Sequence, residues 1–379
     1  GSGNTEGYEN SAFGVDALYA NSTGSGSSAF GHEALRNSFS GLNNSAFGNG
    51  ALYGNDSGSE NTGIGSRALF FSGGSWNTAI GSDTLLNNTS ATSTVAIGYG
   101  SAQGLADYSN QGGTYLGYQS GFSADTGSDY NTFLGYSSGY GVTTGARNIL
   151  LGQSTINDSQ NQVTTGNNNI AIGNDVAVAS PTANNQLNIG NLIYGTGLDG
   201  TGSTLSSGNV GIGVKDPEAR LTIQNNATSS SAFTIRDALG DTSLEIRAGT
   251  STLYNVFVGV SAGANNTTGS VNTAVGLQAM YFNTTGSGNT ALGVNTLTSN
   301  ISGSGNNAIG QDALQANITG DNNNAIGIHA LYSNTTGSYN VANGFLSLKT
   351  NTTGIRNTAS GAYSLFNNTS ATSTVAIGY

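Results

Sequence analysis

A glycine recurs every 17 residues through the C-terminal third of the chain, and a nearly identical spacing occurs near the N-terminus. Each glycine lies in a motif, Asn-x-Ala-Ile-Gly-x-x-Ala-Leu, of which residues 306–314 are one copy. A fixed period of this length is typical of a solenoid, in which each repeat forms one coil that stacks on the next. The coil glycines are Gly14, Gly31, Gly48, Gly65, Gly81, Gly98, Gly259, Gly276, Gly293, Gly310, Gly327, Gly344, Gly361 and Gly378.

The two sets of coil glycines are related by a second, longer period. Gly14 and Gly293 lie 279 residues apart, and Gly98 and Gly378 lie 280 apart. The 13 residues of segment 87–99 reappear without change as segment 367–379. We therefore expect the chain to come from a longer polypeptide that contains several near-duplicates of this block.

The composition excludes several classes of protein. Charged residues make up 8% of the chain and hydrophobic residues 36%, which is too little charge and too much apolar character for a disordered segment. Only two prolines and a 17-residue glycine period exclude collagen. The net charge is −11, and the nine Lys and Arg residues are scattered, so we expect no nucleic-acid partner. The absence of cysteine is compatible with an extracellular fibre.

The motif is typical of a short β-strand, and we expect Asn306 outside, Ala308 inside, and Ile309 inside at a bend before Gly310. Leu314 supplies a second large apolar side chain, and we expect two short strands per coil. Burying two large aliphatic side chains stabilises a coil by about 3–6 kcal/mol. Ordering the backbone costs about 1–2 kcal/mol per residue. This thin core predicts association of several chains with cyclic symmetry.

The Asn-x-Ala-Ile-Gly coils, and the variant Ala-Ile-Gly-Tyr-Gly-Ser-Ala at 96–102, resemble the head repeats of trimeric autotransporter adhesins. The resemblance covers about 1–175 and 255–379. It implies an all-β fold, a left-handed parallel β-roll or solenoid, with three chains side by side as a homotrimer on a bacterial surface. The 17-residue coils are longer than the usual adhesin head repeat. Similar coils also occur in phage tail-fibre-like proteins.

Changes in the glycine spacing divide the chain into four segments. Regular coils occupy 1–100, and looser, aromatic-rich coils with insertions occupy 101–185. A β-strand-rich connector follows at 186–257, and regular coils return at 258–379 as the start of a second block. The connector's Gly-Asn-Val-Gly-Ile-Gly string, at 208–213, resembles the segment that precedes the ends of phage tail fibres.

Aromatic residues concentrate in the looser coils. Exposed rings at this density would suit a surface that binds glycans or proteins, whereas buried rings would fill a wider coil. The candidate contact residues are Tyr115, Tyr118, Phe122, Tyr130, Tyr136 and Tyr140.

Asn-x-Ser/Thr sites recur 17 residues apart and allow two interpretations. They could carry a column of glycans, or their Asn side chains could stack as a hydrogen-bonded ladder at one corner of the coil. The Thr and Ser residues of the same sites form a column that leaves ice binding as a remote alternative. The Asn residues are Asn266, Asn283, Asn300, Asn317, Asn334, Asn351 and Asn368.

No arrangement of residues indicates catalysis. His32 and His329 have no partner at metal-ligand spacing, and no Gly-x-Ser-x-Gly elbow is present. We predict no enzyme activity, no cofactor and no metal. The sequence favours a structural and adhesive segment of a long extracellular fibre on a bacterial cell surface, whose partners are its own copies and glycans or proteins of another surface. The shaft of a bacteriophage tail fibre is the alternative, and an ice- or glycan-binding solenoid is a remote one.

Overall fold

A computed structural model shows that the chain folds into two compact units, Gly1–Gln224 and Asn225–Tyr379. In the described residues every regular element is a β-strand. The boundary between the units falls inside the predicted connector. The described residues are 3–105, 108–154, 163–201, 203–224, 233–236, 242–248 and 254–379.

The first unit contains one 14-stranded sheet whose strands follow the order of the chain. Its strands are β1 (Ser11–Phe13), β2 (Ser28–Phe30), β3 (Ser45–Phe47), β4 (Thr62–Ile64), β5 (Thr78–Ile80), β6 (Val95–Ile97), β7 (Thr114–Leu116), β8 (Thr132–Leu134), β9 (Ile149–Leu151), β10 (Ile170–Ile172), β11 (Leu187–Ile189), β12 (Ile193–Gly195), β13 (Val210–Ile212) and β14 (Leu221–Ile223). Strands β1 to β11 pair in parallel, each with the equivalent residues of the next coil.

The second unit contains a 10-stranded sheet, also in chain order. Its strands are β15 (Phe233–Arg236), β16 (Thr242–Ala248), β17 (Val256–Val258), β18 (Thr273–Val275), β19 (Thr290–Leu292), β20 (Asn307–Ile309), β21 (Asn324–Ile326), β22 (Val341–Asn343), β23 (Thr358–Ser360) and β24 (Val375–Ile377). Strands β15 to β17 pair antiparallel, and β17 to β24 pair in parallel.

The parallel strands confirm the predicted β-solenoid with coils of about 17 residues. Ala308 pairs with Ala291 of the preceding coil and Ala325 of the following coil, each 17 residues away. Such a translation places identical backbone groups above one another, so every strand extends the same hydrogen-bond ladder.

The expectation of two strands per coil is wrong. Each regular coil has one three-residue strand, and the side that follows the coil glycine is a sequence of turns. Residues two and four positions after the glycine have a left-handed backbone, with φ of 56° at Asp312 and 51° at Leu314. An extended strand requires negative φ at both positions. The turns are still tied to their neighbours, because the Leu314 N–H donates to the Ala330 carbonyl at 3.0 Å.

The core of a regular coil consists of small residues and one leucine. Ala308, Ala313 and Leu314 are fully buried. The predicted inward position of Ile309 is wrong, because its side chain is half-buried on the outer face. Asn306 was expected outside and is instead buried. The strand begins at Asn307, so alternation points Asn307 and Ile309 outward and only Ala308 inward.

A third left-handed position lies 12 residues after the coil glycine and offers a stability test. Gly288 and Gly305 occupy it with φ of 67°, whereas Val271 occupies it with φ of 57° and a 61% exposed side chain. A β-branched residue is strained in this region. We expect Val271→Gly to stabilise the second unit by about 1 kcal/mol, since relief of strain exceeds the entropic cost of glycine. Chemical denaturation would measure this change.

Val341 provides the matched control for that substitution. It is an outward-facing strand residue without positive φ, and it is 38% exposed. Val341→Gly should destabilise by about 0.5–1 kcal/mol, because glycine weakens a strand. Equal effects of the two substitutions would contradict the assignment of strain to Val271.

The connector contains several short strands. Two of them, β11 and β12, pair antiparallel. Residues 190–192 separate them, and Gly190 and Asn191 have φ of 59° and 56°. Two successive left-handed residues reverse the chain in a tight hairpin.

Candidate binding surface

An exposed apolar row runs along the parallel coils of each unit. It is formed by the residue immediately before each coil glycine, or before the equivalent glycine of a looser coil, and we call it the outer ridge. Phe47, Leu134 and Leu292 are 41%, 46% and 37% exposed, respectively. The apolar members are Phe13, Phe30, Phe47, Ile64, Ile80, Ile97, Leu116, Leu134, Leu151, Ile172, Ile189, Val258, Val275, Leu292, Ile309, Ile326 and Ile377.

The first residue of each strand also faces outward and makes the surface two side chains wide. Thr and Ser dominate this second row, as in Thr62 and Thr290, while Val95 and Ile149 are apolar and exposed. The outer face of most parallel strands therefore pairs a small hydroxyl or β-branched side chain with a large apolar one. Contiguous apolar surface of this kind marks interaction sites on soluble proteins.

Aromatic members of equivalent positions stack from coil to coil. On the outer ridge, the ring centroids of Phe30 and Phe47 lie 5.1 Å apart with planes within 2°. One residue beyond the glycine, Tyr99, Tyr118 and Tyr136 form a second stack with centroid distances of 5.5 and 5.0 Å. In-register coils place identical positions about 4.8 Å apart, which produces such stacks.

The six predicted contact residues fall into three groups. Tyr118, Tyr130 and Tyr136 are exposed and remain available to a partner. Phe122 and Tyr140 are half-buried and stack with centroids 5.0 Å apart. The sixth, Tyr115, is fully buried, so its prediction as a contact residue is wrong.

Tyr115 is part of the core of a widened coil. Its hydroxyl donates to the Ser128 carbonyl at 3.3 Å and accepts from Asn110 Nδ2 at 3.0 Å. Burial raises the pKa of Tyr115 to about 12, so the phenol stays neutral at physiological pH. Its ring takes the strand position that alanine holds elsewhere, and Gly121 replaces the usual leucine opposite. A large residue at the strand centre and a small one opposite replace the usual small and large pair, so the core of the coil stays filled.

The conserved spacing of Asn residues produces two buried ladders. In the first, Asn306 Oδ1 accepts the backbone N–H of Asn323 at 3.0 Å, and its Nδ2 donates to the Gly320 carbonyl at 2.8 Å. In the second, Asn317 Nδ2 donates to Asn300 Oδ1 at 2.8 Å and to Gly320 at 3.0 Å. These bonds satisfy amides that would be costly to bury alone.

The second ladder joins six of the seven Asn-x-Ser/Thr asparagines, from Asn266 to Asn351, and confirms the structural interpretation for them. Asn368 is not joined to it by a hydrogen bond. Asn283, Asn300, Asn317, Asn334 and Asn351 are completely buried. A glycan is attached through the same Nδ2 atom that here donates to the neighbouring coil, so these folded positions have no room for one. The adjacent row offers no array of free hydroxyls, because Thr284 Oγ1 donates to the Ile301 carbonyl and Ile318 interrupts it.

No known protein-family model matches this chain, and no curated protein is significantly similar to it. Within the ranges that the structure describes, no helix is long and apolar enough to cross a membrane. The same ranges contain no cluster of three His, Asp or Glu side chains placed to hold a metal ion.

The outer ridge is the feature that the sequence interpretation missed. A signal was present, because Asn343 and Ser360 occupy ridge positions in two otherwise regular coils. Polar side chains at a position that is apolar in the other coils indicate that the position faces outward. The strand centre, in contrast, stays alanine in both coils.

Proposed function

We propose that this chain is a structural and adhesive segment of a long extracellular fibre on a bacterial surface. In this proposal three chains run side by side as a homotrimer, and the outer ridge of each chain packs against the other two. The observation that carries the proposal is the row of exposed and half-buried Phe, Ile, Leu and Val side chains, interrupted only at Asn343 and Ser360 among the parallel coils that the structure describes, on coils whose own core is mostly alanine.

The energetics support association. A regular coil buries two alanines and one leucine, as at Ala325, Ala330 and Leu331. Full burial of a large aliphatic side chain is worth about 1.5–3 kcal/mol, so covering an exposed fraction such as the 37% of Leu292 adds about 1 kcal/mol per coil. Ten coils would contribute about 10 kcal/mol per chain before the entropic cost of association. A cyclic arrangement uses the same face of every chain and leaves no ridge uncovered.

A tail-fibre shaft of a bacteriophage is the second candidate. The observation that favours it is the connector segment of β13 and β14, whose sequence resembles the strand-rich end segments of such fibres. Neighbouring genes separate the two candidates: a secretion pore or an anchor domain would support the bacterial fibre, and baseplate genes would support the phage. Detectable hydrolysis of a glycan or peptide by the purified chain would contradict both.

Placing positive charges on the outer ridge tests whether it is the contact face between chains. The triple variant Leu292→Lys, Ile309→Lys, Ile326→Lys places three cations on one face of adjacent coils. We expect it to keep its β-strand content but to lose self-association at micromolar concentration, because each lysine would be buried without a partner. Sedimentation velocity and far-UV circular dichroism would measure the two properties.

The same coils offer a matched control. Thr285, Ser302 and Thr319 are exposed at another corner of the solenoid, and the variant Thr285→Lys, Ser302→Lys, Thr319→Lys introduces the same charge. This control should associate like the unmodified chain. Association of the ridge variant to the same extent would exclude the ridge as the contact face.

A further inference from the structure

Three tyrosines on successive coils form a continuous exposed stack. Tyr99, Tyr118 and Tyr136 each follow the glycine of their coil, and they are 47%, 42% and 46% exposed. Their ring planes differ by 17° between the first two and by 7° between the last two. Backbone hydrogen bonds hold the coils in register beside the rings, since Gln119 N–H donates to the Tyr99 carbonyl at 2.8 Å.

This stack differs from the other stacked pairs of the described residues. Phe30–Phe47, Tyr53–Phe70 and Phe122–Tyr140 also stack across coils with nearly parallel planes, but each contains at least one phenylalanine. A phenyl ring has no phenolic hydrogen to lose, so these pairs cannot couple oxidatively under mild conditions. Tyr363 and Tyr379 also approach, with planes tilted by 54°.

We propose that the Tyr99–Tyr118–Tyr136 stack is a site of oxidative cross-linking that joins neighbouring coils through dityrosine. The co-reactant is a peroxide used by a peroxidase. Each of two phenols loses one electron and one proton, and the two tyrosyl radicals form a carbon–carbon bond between the ring carbons next to the hydroxyls. Each ring then regains aromaticity as its displaced ring hydrogen moves to the phenolic oxygen. The two hydrogen atoms removed reduce one hydrogen peroxide to two waters.

The geometry favours coupling within one chain. Equivalent residues of adjacent coils are about 4.8 Å apart, so two radicals on the stack start close together. Their side chains are exposed and can rotate about χ1 to bring the two ring edges into bonding contact. Tyr99 and Tyr136 are separated by two coil steps, or about 10 Å, so Tyr118 is required for either bond. The dityrosine bond would link adjacent coils covalently in the region where widened cores interrupt the regular solenoid.

The unmodified chain should be treated with a haem peroxidase and hydrogen peroxide, then digested with a protease that cleaves before aspartate. Tyr99, Tyr118 and Tyr136 fall in separate fragments, 83–106, 107–124 and 129–157. We expect dityrosine fluorescence and a linked pair of fragments, 107–124 joined to one of the other two, with the loss of two hydrogen atoms. The yield per chain should not change with protein concentration, and the product should migrate as a single chain in denaturing gels.

Two conservative variants decide the assignment. Tyr118→Phe keeps a stacked ring but should lose both linked fragment pairs. Tyr130→Phe removes an equally exposed tyrosine whose ring faces Arg147 instead of another phenol, and its linked fragments should persist. The proposal is overturned if Tyr118→Phe gives the same linked fragments, if links form only between chains, or if no link forms while a tyrosine dipeptide in the same reaction is coupled. Because none of these results depends on trimer formation, failure here is distinguishable from failure of the proposed fibre.

Discussion

Replacing one coil glycine by alanine, Gly327→Ala, should destabilise the second unit by about 3 kcal/mol or more, since two separate penalties add. Gly327 has a φ of +136°, in a region that only glycine populates readily. A Cβ atom there would also lie 2.6 Å from the carbonyl oxygen of Gly344 in the next coil. The atoms nearest the added Cβ all belong to the backbone of the next coil, which cannot move aside as a flexible side chain could. Urea denaturation of the variant and the unmodified chain would measure the loss.

Gly288→Ala is the control for this prediction. Gly288 also has positive φ, +67°, but its added Cβ would meet only the Gly305 nitrogen at 3.9 Å. Val271 and Asn322 occupy the equivalent position in other coils. The expected cost is therefore about 1 kcal/mol, which is the left-handed penalty alone. A Gly327→Ala variant that is no less stable than the control would contradict the close stacking of the coil glycines.

The second large effect is expected at Phe257 and Gly263, where a large and a small residue have exchanged their usual positions in the core. Phe257 is 4% exposed at the centre of β17, and a Cβ on Gly263 would lie 2.6 Å from its ring. Phe257→Ala should cost about 3–5 kcal/mol because it leaves a cavity. Gly263→Leu alone should also be strongly destabilising, because the added side chain would overlap the ring.

The double variant Phe257→Ala, Gly263→Leu should recover most of that loss. It recreates the regular coil, in which Ala308 lies at the strand centre and Leu314 opposite. Leu314 has a φ of 51°, close to the 57° of Gly263, so a leucine is compatible with this backbone. A double-mutant cycle with thermal unfolding would give the coupling between the two sites. Additive losses would show that the two positions do not share one core volume.

The stacking of the coils could be predicted because it depends only on each coil repeating the previous one at a fixed spacing. Glycines at a constant spacing imply that Gly293 lies over Gly310, and the parallel in-register strands follow directly. The exchange of large and small core residues could also be predicted from the sequence. Tyr115, Phe133 and Phe257 are each followed six residues later by a glycine in place of leucine. Recognising it would have placed Tyr115 in the core.

The direction of Ile309 does not follow from the repeat spacing, and only a comparison with Asn343 and Ser360 in other coils indicates it. The prediction assumed that the polar Asn306 faces water and placed both Ala308 and Ile309 inside, whereas neighbouring strand residues face opposite ways. Asn306 is buried because Asn289 and Asn323 on the adjacent coils complete its hydrogen bonds. Such a ladder exists only between coils, so one motif considered alone assigns the asparagine to the surface. The left-handed backbone of Leu314 could not be predicted from one motif for the same reason, since its N–H donates to the Ala330 carbonyl of the next coil.

The mass of the unmodified chain in solution tests the central claim, that solenoids associate through their outer ridges. Light scattering with size-exclusion chromatography should be run at micromolar concentration. The account predicts a species of three times the 38.0 kDa of one chain. A single species of 38.0 kDa would contradict it, because the Phe, Ile and Leu side chains of the ridge would then face water on the parallel coils of each unit.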